Sequence, residues 1–274
     1  MSTSIASSRR PALSFHVAHV SPLAPFRWLA RGAHDLRRSW GPSLGYGALT
    51  VAVGWTLLVF CATHPYLVAA AITGFLLVGP LMSAGLCEIS RRFAKGMPAN
   101  FDDSLGAFVR HRESLAEFGL LLAACAVGWF LVSGILLDKV FAVAAPDMRE
   151  TLYRGFLDLA NREQILAYVA VGGLLAAAVF AVSVIAIPAI IDRDATPGQA
   201  MRASIRAAFT NIPAMLVWSA MILALTAIGY ASLLLGLLFI VPWLGHATWH
   251  AYRTLVPTQV EAVDPPKVVR DVVV

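Results

Sequence analysis

The sequence predicts an all-α, polytopic membrane bundle, and three observations carry that expectation. Hydrophobic residues fill 58% of the 274 positions and charged residues only 14%, against about a quarter charged in soluble domains. Asp, Glu, Lys and Arg are absent from 39–87, 118–137, 164–191 and 207–252, each long enough for the ~20 residues a helix needs to cross hydrocarbon. Lys and Arg are also unevenly distributed between the loops that join these stretches. A soluble fold and a disordered chain are both excluded by this composition. Cys61, Cys87 and Cys125 have no CxxC spacing and offer neither a disulfide framework nor a zinc site.

In chain order, residues 1–20 read as a flexible tail preceding a membrane domain at 21–255, with a second tail at 256–274. Phe26, Leu29, Ala33, Leu36 and Trp40 recur at steps of three and four, with Arg27, Arg31 and Arg38 between them, so an amphipathic helix over 24–40 is expected to lie along the inner leaflet. The first charge-free stretch is too long for one crossing. His64-Pro65 marks its turn, because proline disfavours helical geometry in the residue before it, leaving helices near 44–63 and 66–86. Leu105, Phe108 and Val109 form a second stripe over 101–113, after an Asp102-Asp103-Ser104 start suited to a helix amino terminus.

Helices near 118–137 and 165–191 follow. A third amphipathic helix, over 197–209, opens with Thr196 as N-cap and Pro197 in the first turn. Its stripe is Met201, Ile205, Ala208 and Phe209, with Arg202 and Arg206 pointing away. The last stretch divides at Gly229-Tyr230-Ala231-Ser232 into 212–229 and 232–250. Six crossings in three hairpins result, each hairpin preceded by a basic interfacial helix.

With six crossings, 17 of the 21 basic residues fall on one side, and only Lys139, Arg149, Arg154 and Arg162 fall on the other, among five acids. The positive-inside rule then places both termini in the cytoplasm. The net charge of +5 is a topological feature and an attraction to anionic headgroups, and calls for no nucleic-acid partner. The second helix of each pair contains a proline (Pro80, Pro188, Pro242), so each is expected to kink. Pro80 to Arg91 and Pro242 to Arg253 are the same distance apart, which suggests a tandem repeat of interfacial helix plus kinked hairpin.

No predicted helix centre carries Asp, Glu, Lys or Arg. The candidate functional polar cluster therefore lies at helix ends: Glu88, Arg91, His246, His250 and Arg253. His246, His250 and Arg253 share one helical face. Two imidazoles four apart could ligate a metal or haem, but no carboxylate or cysteine stands nearby in sequence to complete a site. Trp243, Trp249 and Tyr252 suit an interfacial setting instead. The repeat would make Glu88 and His250 equivalent, and an inward turn of the His246 face toward Glu88 and Arg91 is expected. The alternative for that face is to snorkel to the headgroups, and for Glu88 itself the pairing with Arg91 or Arg92 one turn away on its own helix is the stronger expectation. No P-loop, G-x-G-x-x-G, H-E-x-x-H or G-x-S-x-G is present, so no catalytic residue, metal or cofactor is expected.

Several strings together resemble a family of predicted bacterial integral membrane proteins, domain of unknown function 2189. They are Gly32-x-x-Asp35, Pro42-Ser43-Leu44-x-Tyr46-Gly47, Gly74-Phe75 with Gly79-Pro80, Gly85-Leu86-x-Glu88-x-Ser90-Arg91-Arg92, Asp192-Arg193, and Gly245-His246-Ala247-Thr248-Trp249-His250-Ala251-Tyr252-Arg253. Cys87 stands where that pattern leads one to expect tyrosine. The resemblance implies a bacterial inner-membrane location and no particular activity. A cytochrome oxidase label carried by some relatives finds no support in this chain, which lacks the many in-membrane histidines such a subunit needs. Three functions remain open from sequence. They are a non-enzymatic scaffold or assembly factor acting on anionic lipid or another membrane protein, a small permease with its site among the kinked helices, and a metal- or haem-binding protein using His246 and His250.

Overall fold

The computed structural model describes residues 15–63, 82–141 and 162–257, and their regular structure is entirely α-helical. The helices are α1 (Ala24–Arg38), α2 (Trp40–Thr63), α3 (described over 82–94), α4 (Phe101–Arg110), α5 (Arg112–Phe141), α6 (Arg162–Ser183), α7 (Ala186–Arg193), α8 (Pro197–Thr210), α9 (Ile212–Ala231) and α10 (Leu237–Leu255). Among the described residues four segments are long and apolar enough to cross a membrane: Trp40–Val59, Arg112–Val132, Val169–Arg193 and Ile212–Ala231. His64, Pro65, Pro80, most of the helix expected at 66–86, and Arg149 and Arg154 of the expected outer loop lie outside the described residues.

Three times, a short helix passes into a long one through a single buried polar residue. Ser39 joins α1 to α2, His111 joins α4 to α5, and Asn211 joins α8 to α9. Their backbones are nearly superposable in dihedral space, with φ/ψ of −120/40, −112/22 and −127/40. The helical ladder continues across each bend, since Ser43, Leu115 and Met215 donate to the junction carbonyls four residues before them. Seven residues beyond each junction, on the same helical face, stands a buried aromatic: Tyr46, Phe118 and Trp218, exposed by 2%, 0% and 1%. This bend recurs at each step from a short helix to a long one among the described residues.

The boundaries differ from the expected ones for identifiable reasons. α2 starts at Trp40, and Pro42 falls in its first turn, where the missing N–H has no intrahelical partner anyway. The helix expected at 165–191 is broken into α6 and α7, not kinked. The break is at Val184 and Ile185, the turn whose carbonyl the Pro188 ring would meet. The last turn lies at 232–236, later than expected, with Leu233 and Leu234 at φ 52 and 69. Gly229 stays inside α9, where a Cβ would strike the Leu237 side chain; its bareness serves helix packing. Residues 15–20, expected in a tail, are docked: Ala18 N–H donates to Leu255 O at 2.9 Å and Val20 N–H to Asn211 Oδ1 at 2.8 Å.

Capping fixes two of the short helices. Asn100 accepts from Asp103 N–H at 2.7 Å while Asp103 accepts from Asn100 N–H, and Thr196 and Gln199 make the same reciprocal box on α8. α1 packs most extensively on α10, and α10 packs next on α2. The contact is close because Gly32 lies directly against the backbone of Ala247, and Gly47 against Leu238 O.

Candidate functional site

Where α1, α2, α3 and α10 meet, a buried polar network replaces apolar packing. Asp35 Oδ2 receives Ser90 Oγ at 2.7 Å and His250 Nε2 at 2.8 Å. His246, 0% exposed, is held on both ring nitrogens, by Ser90 Oγ at 2.8 Å on Nδ1 and by Ser43 Oγ at 2.9 Å on Nε2. Ser39 Oγ lies 2.8 Å from Ser43 Oγ and 2.8 Å from Asp35 O, closing the circuit onto α1.

Counting donors assigns the protons. An ionised Asp35 only accepts, so Ser90 spends its one hydroxyl proton on Oδ2 and can only accept from His246. The proton of His246 is therefore on Nδ1, and Nε2 of the neutral, fully buried ring accepts the one proton of Ser43, so that the one proton of Ser39 is shared between Asp35 O and Ser43 Oγ. Burial alone would raise the Asp35 carboxyl's affinity for its proton; the hydrogen bonds from His250 and Ser90 outweigh this and hold it below the usual carboxylate range. The result is a polarised chain from Ser43 through His246 and Ser90 to Asp35. Ser43 and His246 are both sealed from solvent, and the chain clamps four helices together.

Glu88 belongs to a different cluster. Its carboxylate, fully buried, takes a two-point contact from Arg91 (Nε to Oε2 2.7 Å, Nη2 to Oε1 2.9 Å) and a third bond from Arg110 Nη2 at 2.7 Å. Burial opposes ionisation here too, and the two guanidiniums overcome it, so Glu88 also sits below the usual range. The inward approach of the His250 face to Glu88 is thus corrected, while the pairing of Glu88 with Arg91 on its own helix, also expected from sequence, is the one that forms. His250 pairs with Asp35, and Glu88 ties α3 to α4, because two arginines compensate a buried carboxylate better than one imidazole. Arg253 goes to a third place, with Nη1 3.7 Å from Asp192 Oδ2, beside Tyr252, whose hydroxyl donates to the same oxygen at 2.9 Å. Of the five residues singled out in the sequence, the structure joins His246 with His250, and Glu88 with Arg91.

Residues 67–192 match the model of a family described as predicted integral membrane protein, the domain of unknown function 2189. No curated protein and no solved structure matches the chain. The family segment includes Glu88, Ser90, Arg91 and Asp192, while Asp35, Ser43, His246 and His250 lie in strings on either side of it. Folding brings these strings together: Gly32 abuts Ala247, Gly85 lies beneath the Tyr46 ring and Gly245 abuts Leu86. Tyr46 donates to Ser104 Oγ at 2.7 Å, since Ser104 gives its own proton to Phe101 O. Cys87 is buried in the core, its thiol 3.7 Å from Gly245 O.

Sequence reasoning missed Asp35, Ser39, Ser43 and Ser90 as partners of the histidines. The Ser39 and Ser43 spacing of four was the available clue, since it stacks two hydroxyls on one face of a membrane-entering helix. Both His246 nitrogens and the His250 Nε2 are engaged within the network. Among the described residues no group of three or more His, Cys, Asp or Glu is placed to hold a metal ion.

Proposed function

We propose that this integral membrane protein is a non-enzymatic scaffold that binds anionic lipid, and through it another membrane protein, by way of its basic interfacial helices. One observation carries the reading. α4 and α8 turn small residues toward the protein, Ser104 and Ala107 in one and Ala200, Ala203, Ser204, Ala207 and Ala208 in the other. Their large apolar side chains face outward: Phe101, Leu105 and Val109 on α4, Ile205 and Phe209 on α8. Exposed arginines flank these stripes, as in helices seated at a headgroup boundary. The burial of Ser43, Ser90 and His246 supports the non-enzymatic part. The distribution of Lys and Arg supports six crossings in a bacterial inner membrane with both termini cytoplasmic.

Spin labels at Ile205 and Arg206 test the placement: the first should be reached by a lipid-soluble relaxer and the second by a water-soluble one. Equal accessibility overturns it. Changing Arg202 and Arg206 to glutamate should weaken attraction to anionic lipid by roughly 1 kcal/mol per cation lost, read as lipid-dependent thermal stability. The permease reading required kinked helices converging at Pro80, Pro188 and Pro242. Pro188 instead stands in α7, whose residues Ala186–Ile191 are all buried, and no specific observation favours that reading.

A further inference from the structure

We propose that the α9–α10 hairpin does not cross the membrane: its turn at 232–236 inserts among acyl chains near the midplane, and the hairpin enters and leaves on the side of α1. This rests on the reading of α1 as a basic interfacial helix. It changes one point of the topology, the pair of crossings given to the last hairpin. Both termini and all three bends stay on one side in either arrangement, so the distribution of Lys and Arg is the same for both.

Depth is set by where α1 ends. Arg27, Arg31, Arg37 and Arg38 are exposed along it, and Trp40, 51% exposed, follows its last turn. Charge is expensive in hydrocarbon and tryptophan favours the boundary, so α2 starts at headgroup level. α10 meets that start. The Trp40 and Phe239 ring centroids are 5.7 Å apart, and Gly47, seven residues into α2, lies against the Leu238 carbonyl. Seven residues of helix advance about 10 Å, and the compact path from Leu238 to Leu233 adds at most about 8 Å. A turn at most about 18 Å beyond Trp40 stops short of the far side of a ~30 Å hydrocarbon core. α10 is not among the segments long and apolar enough to cross, and α9, which is, ends at the same turn and so must run obliquely. Its side chains suit that course, since Ile212, Leu216, Leu223 and Ile228 are exposed along its whole length.

The turn itself suits hydrocarbon. No charged residue lies within 207–252. Every amide from Ser232 to Ile240 donates locally, eight of them to backbone carbonyls at 2.9–3.2 Å and Gly236 to Ser232 Oγ at 2.7 Å. Ser232 Oγ gives its own proton to Gly229 O at 2.8 Å. Irregular backbone is kept out of lipid because unpaired amides are costly there, and these nine are all paired. Leu233 and Leu234 have φ of 52 and 69, where glycine or asparagine would be less strained. Leu233 and Leu235 are 67% and 59% exposed, and acyl chains, unlike water, favour leucine at such positions.

The test attaches bimane to the full chain through Leu235→Cys in liposomes, with the wild-type chain, which carries Cys61, Cys87 and Cys125, as background. Lipids with a nitroxide deep in the acyl chain should quench this label more strongly than lipids with a nitroxide on the headgroup. An impermeant maleimide applied to either face should not reach the introduced thiol until detergent is added. Stronger quenching from the headgroup, or maleimide reaction from the face opposite the carboxyl terminus, means that the hairpin crosses and overturns the proposal. Reaction from the same face puts the turn in water and overturns it too. Leu233→Asn gives a second measure that needs no label. Asparagine relieves the left-handed strain, so the variant should raise the thermal midpoint if the turn faces water, and should lower it by about 2–4 °C if the turn lies among acyl chains. A label at Phe26→Cys, on the exposed face of α1, separates the two readings. If headgroup nitroxides quench it best and quench the Leu235 label best as well, only this proposal fails. If they do not quench the Phe26 label, the interfacial reading of α1 fails, and the depth argument fails with it.

Discussion

A single carboxylate oxygen ties three helices together, because Asp35 on α1 accepts from Ser90 on α3 and His250 on α10. Hydrogen bonds to a charged group are worth about 1.5–3 kcal/mol each. Asp35→Asn keeps one accepting oxygen and loses the charge, so it should lower stability by about 2 kcal/mol at neutral pH, measured by denaturation in detergent. The acid dependence follows from the same residue. Its proton affinity is depressed in the folded state, so its contribution is complete at neutral pH and is lost as pH falls below about 4. Asp35→Asn should flatten the acid limb of the stability curve, and adding Glu88→Gln should flatten it further, since Glu88 is depressed in the same direction. An unchanged acid limb in both variants would show that neither carboxylate is ionised when folded. The pair His246 and His250 was legible in the sequence because i and i+4 always share a helical face. Asp35 was not, because it meets His250 across 215 positions of chain, a distance over which local periodicity carries no information.

Among the elements, the contact of α1 with α10 depends on the absence of a side chain. A Cβ on Gly32 would stand 2.7 Å from Ala247 N and 2.9 Å from its Cα, atoms of a helix backbone that cannot step aside. Gly32→Ala should therefore cost about 1–3 kcal/mol through overpacking. Gly41→Ala is the control, since nothing lies within 4 Å of its Cβ position, and it should be neutral or stabilising by up to about 1 kcal/mol. Equal thermal midpoints for the two variants would disprove the close approach. The three short helices themselves were legible, down to Thr196 as N-cap, because capping and period are local properties. Their facing was only half legible. Leu36 and Ala208, members of the apolar stripes, are buried, while Phe26, Ile205 and Phe209 of the same stripes are exposed. The sequence distinguishes apolar from polar more readily than small and protein-facing from large and lipid-facing.

For the whole molecule, the equivalence of Ser39, His111 and Asn211 shows that the chain three times sets a short helix against a longer one by the same single-residue bend. Composition made the membrane class legible, since no arrangement of these residues yields a soluble surface. The details of the break at Val184 and the late turn at 232–236 were hidden, because they depend on how α6, α7, α9 and α10 meet. The parity of crossings remains the decisive global quantity. If each of the three units crosses twice, every bend lies on one side of the membrane, and the arginines of α1, α4 and α8 lie there together. The charged residues opposite them are those of 138–164, whose four basic residues are accompanied by five acids. Lys and Arg, and not net charge, set orientation, so the side holding 17 of them should face the cytoplasm. Fusions that are active only in the periplasm should be silent after Val274 and active within 140–160. Activity after Val274 would make the number of crossings odd or reverse the orientation, and would place at least one basic bend against the outer leaflet, where no anionic attraction of the cytoplasmic kind is available to it.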